Sequence, residues 1–400
     1  KSSIFADMKQ EIIDKINRLA SQDEPFLFVI NYQGDKAFIR QLSDINPEEC
    51  LFDFEGRRNS SDEMKNNSEK IAEISWQIAP PLYEDYERSF DIVKNNIMAG
   101  NSYLTNLTCK VPVSCNLSLE DIFNQAKGKY KLLIRRKRTQ AEDKAQQKEK
   151  EESQNKADKI EEEFQNKTYP KEENIEEISN SFVCFSPETF VRIKGGRIYS
   201  YPMKGTLDAS LPNAEKLLME DRKEAAEHAT IVDLIRNDLS RVAEDVRVDK
   251  YRYVDVLHTN KGDILQTSSE ISGRLPEDYP HHLGEILDVQ LPAGSITGAP
   301  KDKTMQIIQE AEGYDRGFYT GIMGIYDQGE LNSAVMIRFI EEETSSVDFE
   351  ADGEKNFKAN EGKKPKESRK LYFKAGGGIT SKSDCRREYE EVIQKIYLPF

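Results

Sequence analysis

The chain has 400 residues, enough for one large domain or two ordinary ones, with 37% hydrophobic and 32% charged residues. Its 57 basic and 72 acidic residues leave a net charge of −15, which argues against a nucleic-acid binder, since that needs a basic face for phosphate. No apolar run reaches the ~18 residues of a membrane span. Five scattered cysteines without CxxC spacing point to reduced thiols in a cytoplasmic protein, not to a disulfide framework or a zinc site.

The opening residues, KSSIFADMKQ, have neither an initiator Met nor a signal-peptide apolar region, which points to a trimmed start. Over residues 1–80, short apolar runs such as FLFVINY (26–32) and KAFIRQL (36–42) alternate with polar linkers, the pattern of strands in an opening meander. Tyr86, Phe90, Val93 and Ile97 then recur at spacings of three and four, which predicts an amphipathic helix over 83–99 ended at Gly100. From about 135 to 180 the chain becomes RRKRTQAEDKAQQKEKEESQNKADKIEEEFQNK and onward. Apolar residues are too sparse there to bury, so the segment reads as a solvated helix or a disordered insertion. Its mixed charge and lack of heptads speak against nucleic-acid or coiled-coil roles. Residues 341–370 have the same texture and read as an expanded hairpin loop between MIRFI and LYFKAGGG. Both insertions are expected to hang on a compact core.

Between and after them come SFVCFSPETFVRI, GGRIYSYPM, a long helix near 212–243, GDILQTSSEISGRL, a helix near 300–313, GIMGIYDQGELNSAVMIRF and a last helix from about 383. Strands and helices in mixed order predict an α/β architecture with largely antiparallel sheets, not a βαβ Rossmann repeat. No GxGxxG follows a strand and no GxxxxGK[ST] occurs.

Several residues in this stretch sit where their chemistry is unusual. Lys204, in YPMKGT, has apolar or small neighbours, and Gly205 beside it lets the backbone bend or approach a ligand; the ordinary place for a lysine is a solvated surface. On the long helix, stepping back four and seven places from Ile231 lands on Glu227 and Glu224, so two carboxylates continue an apolar stripe that includes Leu217, Ile235 and Val242. In the last helix Glu388, Glu391 and Lys395 share one face. These are either ordinary solvated stripes or, taken together, carboxylates able to hold a hard cation such as Mg2+ with water and substrate oxygens. AGGGITSKSD (375–384) follows a strand and precedes a helix, which gives either a tight turn or backbone N–H groups turned to an anion. LPAGSITGAPK (291–301) is a second Gly/Pro/Ser/Thr loop opening a helix. Arg338, in the apolar strand SAVMIRF, calls for a partner, for which a bidentate carboxylate is the usual choice.

Taken in order, FSPETF, YPMKGT, KEAAEHATIVDLIRNDLSRV, SSEISGRL, LPAGSITGAPK, YTGIMGIY, VMIRF, AGGGIT and REYEEVIQK resemble the chorismate-utilising enzymes. That family includes the anthranilate, aminodeoxychorismate, isochorismate and salicylate synthases. The resemblance covers most of 182–400 and extends to the helix at 83–100 and AGNSYLTNLT (99–108). It implies a chorismate-binding catalytic domain over 81–400, preceded by a strand-rich part of the fold over 1–80, with antiparallel sheets in a central sandwich and helices outside. It also implies that Glu227 and Glu391 are Mg2+ ligands, with Glu224 and Glu388 as additional or water-mediated ones. Arg338, Tyr319 and the N–H groups of Gly376, Gly377 and Gly378 would hold the enolpyruvyl carboxylate of chorismate. Gly205 and Thr206 would line the ring, with Ser295 and Lys395 close by. Leu104 stands where water-activating members carry Lys, which argues against isochorismate and salicylate synthesis. Gln266 replaces a His implicated in expelling pyruvate, which counts against anthranilate formation.

The resemblance also bears on Lys204. Anthranilate synthases carry Ala in the third place of PxxGT, whereas aminodeoxychorismate synthases that form a covalent intermediate carry Lys, as here. Lys204 is thereby implied to be a nucleophile, which must attack as the neutral amine, and Glu188 the acid that protonates the departing hydroxyl. No Cys/His/Glu amidotransferase triad can be assembled from the sequence, so a glutamine amidotransferase subunit in a heterodimer is expected to supply ammonia. The implied product is 4-amino-4-deoxychorismate, on the way to p-aminobenzoate and folate. Anthranilate synthase component I and a catalytically degenerate binding or regulatory subunit are the alternatives.

Overall fold

The computed structural model describes residues 8–60, 74–136, 178–259, 262–345 and 368–400; the expectations for most of the two charged insertions lie outside the described residues. Two nine-stranded sheets form the frame, and every pairing within them is antiparallel. The first runs β11 (Met203–Asp208), β13 (Gly262–Arg274), β10 (Arg197–Ser200), β9 (Thr189–Lys194), β16 (Glu330–Val335), β15 (Ile322–Asp327), β1 (Phe26–Ile30) and β2 (Ala37–Gln41), with β12 (Glu244–Thr259) also on β13. The second runs β14 (Gly298–Ala299), β6 (Leu104–Cys115), β18 (Ser368–Thr380), β17 (Phe339–Ser345), β8 (Ser181–Ser186), β7 (Tyr130–Ile134), β3 (Cys50–Phe54) and β4 (Arg57–Arg58), with β5 (Trp76–Ile78) on β6.

The expected sandwich is what forms. Leu27, Val29 and Phe38 of the first sheet meet Phe52, Leu132, Phe182 and Phe339 of the second in one buried layer. Phe26, Phe28 and Ile30 point the other way, against the helices α1 (Gln10–Ser21) and α6 (Leu283–Gln290). This is why FLFVI is apolar at every position: both faces of β1 are covered, so alternation has no use there. The second sheet is covered by α2 (Tyr83–Met98), α3 (Leu119–Gln125), α8 (Lys301–Glu312) and α9 (Cys385–Gln394). Tyr86, Phe90, Val93 and Ile97 form the buried stripe of α2, as their spacing predicts.

Three elements differ from expectation. The first 80 residues open on α1 rather than on strands; Ile12, Ile13, Ile16 and Leu19 are its buried face. The helix expected over 212–243 is two, α4 (Ala214–Glu220) and α5 (Arg222–Leu239), separated by the extended Asp221, whose side chain caps α5 by accepting from the Glu224 N–H. Leu217 therefore lies on a different helix from Ile231 and is 54% exposed. The three glycines of 376–378 lie within β18 and pair with Thr108, Leu107 and Asn106 of β6, not in a turn before a helix.

Both charged insertions leave from paired strands: Ile134 faces Phe182 at one base and Ser345 faces Ser368 at the other. Among the described residues no helix is long and apolar enough to cross a membrane. The chain passes from the second sheet to the first between β8 and β9 and returns between β16 and β17. The two crossings lie side by side, with Val335 N–H donating to Glu188 O at 3.2 Å and Phe185 N–H donating to Arg338 O at 3.2 Å.

Candidate active site

Those crossings carry two of the residues singled out above. Glu188 follows β8, and its carboxylate accepts a 2.6 Å hydrogen bond from the Ser295 hydroxyl of the short helix α7 (Gly294–Thr297). Burial raises the Glu188 pKa, an effect opposed by the Ser295 hydrogen bond and by the charges of Lys204, Arg338 and Lys395. The charges of three cations from distant parts of the chain thus reach one desolvated acid.

Arg338 is not within a strand, contrary to expectation. It sits in the break between β16 and β17 with φ +56°, a left-handed conformation that costs a non-glycine residue about 1 kcal/mol or more. Among the described residues no carboxylate lies within ion-pair distance of it. Its guanidinium instead lies 5.7 Å from the centre of the Tyr397 ring. Because Arg338 leaves the sheet, β17 covers β18 only from Ser368 to Lys374, whereas β6 follows β18 to Thr380. Among the described residues, the glycines at 376–378 therefore lie in a stretch with no strand on one edge.

Lys204 approaches that stretch from β11. Its ammonium is 3.6 Å from Glu227 Oε2, with the two side chains 23% and 12% exposed. A methyl group on Gly378 would stand 3.3 Å from Lys204 Nζ and 3.1 Å from Leu104 Cδ1. Gly205 has φ +72°, and a methyl group there would stand 3.3 Å from Glu224 Oε2, so both conformation and space favour glycine. Thr206 follows on β11 opposite Gln266 of β13. On the far side, Lys395 pairs with Glu391 at 2.8 Å and donates to Gly376 O at 2.9 Å. Glu388 is buried, and its Oε2 would be 3.7 Å from a methyl group on Gly377. The four carboxylates thus form two pairs flanking the glycine strand, each with a lysine on one member. Among the described residues, no three His, Cys, Asp or Glu side chains are gathered closely enough to hold a metal ion. Tyr319 belongs to the buried layer between the sheets, its ring 5.9 Å from that of Phe339.

Sequence reasoning missed His228. It is fully buried, 2.6 Å from Ser269 Oγ, and burial followed by the charges of Arg252 and Lys204 pushes its pKa down to about 4. Its position three residues before Ile231 places it on the inward face of α5, a signal present in the sequence. Nearby, a small hollow is lined by Glu188, Ser295, Tyr201, Pro202, Asp238 and Gln290, among others.

A desolvated acid, a lysine amine and carboxylates thus lie around the glycine strand, a gathering of titratable groups that marks a candidate catalytic centre. The description "chorismate binding enzyme" fits residues 155–354. An uncharacterized PabA-like protein of Haemophilus influenzae is 40% identical over 390 residues, 98% of this chain and 97% of that one. Anthranilate synthase component 1 of Aquifex aeolicus is 34% identical over 222 residues, covering 52% of this chain but 38% of that protein. Among solved structures, a putative 2,3-dihydroxybenzoate-specific isochorismate synthase of Bacillus anthracis shares the fold at TM-score 0.61 and 17% identity, covering 96% of this chain and 86% of that one. The chain belongs to the chorismate-binding enzyme family.

Proposed function

We propose that this protein makes 4-amino-4-deoxychorismate from chorismate and ammonia through a covalent intermediate on Lys204. The observation that carries the reading is a lysine amine held between Glu227 and the glycine strand, close enough to Glu188 for its charge to act there.

Lys204 attacks as the free amine, so Nζ must first lose a proton, for which Glu227 is the carboxylate within reach. Nζ bonds to C2 of the ring, both ring double bonds shift (C1=C2 to C1=C6 and C5=C6 to C4=C5), and the C4–O bond breaks as Glu188 gives its proton to the leaving oxygen, which departs as water. Ammonia then bonds to C4, both double bonds return, and the C2–N bond breaks as the proton lost by the new C4 ammonium is taken up by the departing nitrogen, which releases Lys204. Arg338 and Lys395 supply positive charge to the substrate's carboxylates. Four carboxylates are a hard-oxygen donor set suited to Mg2+, and Mg2+ takes one or two protein carboxylates with water and substrate oxygens. Glu227 and Glu391, with Glu224 and Glu388 beside them, would hold it; when bound, it supplies positive charge for the ring carboxylate. A glutamine amidotransferase subunit in a cytoplasmic heterodimer would supply the ammonia.

The raised pKa of Glu188 gives a pH expectation. A general acid works protonated, so turnover should fall as pH rises through that raised pKa. Glu188→Gln should lower kcat by roughly 10²–10⁴ and abolish this limb; a pH–rate profile with the same limb in Glu188→Gln removes Glu188 as the acid.

The second reading is anthranilate synthesis, favoured by the relatives of that name. Mass analysis of products from chorismate, Mg2+ and ammonium separates the two: aminodeoxychorismate keeps its enolpyruvyl group, whereas anthranilate forms with one pyruvate released. Pyruvate in step with chorismate loss would sink the first reading.

A further inference from the structure

Behind Glu188 lies a closed ring of hydrogen bonds. Lys301 Nζ is 2.8 Å from Asp238 Oδ2, with the two side chains 12% and 8% exposed. The same ammonium donates to Gln290 O at 2.8 Å, and the Gln290 side-chain amide donates to Asp238 O at 3.0 Å. The end of α5, the end of α6 and the start of α8 are thereby joined. Residues 291–300 leave this ring at Gln290 and re-enter it at Lys301, so both ends of the loop carrying Ser295 are fixed at one place. The loop also rests on α5 through Gly294, where a methyl group would stand 2.6 Å from Leu234 Cδ2 and 3.7 Å from Asp238 Oδ2.

We infer that Asp238, Lys301 and Gln290 are positioning residues, a latch that holds the Ser295 hydroxyl on Glu188 and fixes it relative to the helix bearing Glu224 and Glu227. This rests on the role of Glu188 given above. Stability alone does not account for the pair. Burying two charges costs several kcal/mol per ion, and apolar residues of similar volume often serve as well or better. That desolvation pushes the Asp238 pKa up and the Lys301 pKa down. What the pair adds over an apolar contact is direction, because each charged hydrogen bond fixes a distance and an angle. A loop free to shift by about 1 Å would lose much of the Ser295 contact, and displacement on that scale can cost about 100-fold in rate.

The test is the double variant Asp238→Leu/Lys301→Met, which removes both charges together and strands neither. It should melt at or above the parent temperature. Its chorismate consumption should fall roughly 10- to 100-fold, and hydrogen exchange over 291–300 should quicken. The limb attributed to Glu188 should move to higher pH, as in Ser295→Ala, because losing a donor to the carboxylate favours its protonated form. The charged groups facing Glu188, namely Lys204, Arg338 and Lys395, are untouched. Adding Ser295→Ala should cost little more. Asp238→Asn keeps the volume but strands the Lys301 charge, so it should melt below the parent, while rate, exchange over 291–300 and the Glu188 limb move as in the double variant; it serves if the double variant does not fold. A parent-like rate and limb in a folded variant, unchanged exchange over 291–300, or a fully additive Ser295→Ala effect overturns the latch. Chorismate loss is followed whichever product forms, so an unexpected product in the parent enzyme counts against aminodeoxychorismate synthesis alone.

Discussion

Lys204→Ala is expected to lower aminodeoxychorismate formation on the order of 10³-fold or more, the scale on which enzymes suffer from loss of a covalent nucleophile. Parent enzyme given chorismate and Mg2+ without ammonia should gain a chorismate-derived mass on the peptide carrying Lys204, and the variant should not. Residual activity in the variant should drift toward direct addition of ammonia at C2. Lys204→Arg should not rescue, because a guanidinium stays protonated and cannot attack. A Lys204→Ala enzyme that makes aminodeoxychorismate at the parent rate would falsify the nucleophile and leave only a positioning role.

The second large effect is expected at the carboxylates. Glu227→Gln and Glu391→Gln should each abolish measurable turnover while the protein stays folded, since both carboxylates flank the glycine strand rather than filling the core. Mg2+ affinity, read by titration calorimetry in the presence of chorismate, should weaken by at least about 10- to 100-fold. The two sites differ in one respect. Glu227 is the partner of Lys204 at 3.6 Å, so Glu227→Gln and Lys204→Ala should be strongly non-additive. Glu391 pairs with Lys395, so its variant should also loosen that lysine from Gly376. Near-normal, Mg2+-dependent activity in either variant removes it from the metal-binding set.

Much of the chemistry was legible in the residues because it lies in local order. YPMKGT names the lysine and its glycine, and the four-residue step from Ile231 back to Glu227 identifies a carboxylate on an inward face. Ser295 and Glu188 were both named, but nothing in the sequence says that one donates to the other across 107 positions. Spacing reveals which residues share a helix face; it carries no information about which loop meets which.

The errors have the same origin. Arg338 was read as a strand residue because SAVMIRF is apolar, yet an apolar run is equally what a chain needs when it crosses between two buried sheets. AGGGIT, between a strand and a helix, reads as a tight turn or an anion-facing loop; instead β6 supplies a continuous partner and holds it extended. The break at Asp221 shows only as an N-cap residue within a periodic pattern.

By itself the sequence determined the inventory: strands and helices with one or two covered faces, a lysine beside a glycine, and carboxylates on inward stripes, all governed by periodicities of two and 3.6 residues. Tertiary structure alone decided the encounters. It set two sheet crossings side by side, brought the charges of Lys204, Arg338 and Lys395 to bear on Glu188, and closed Asp238 on Lys301. These are contacts between residues distant in sequence, set by how two sheets and their covering helices pack, and packing is a property of the whole chain rather than of any segment.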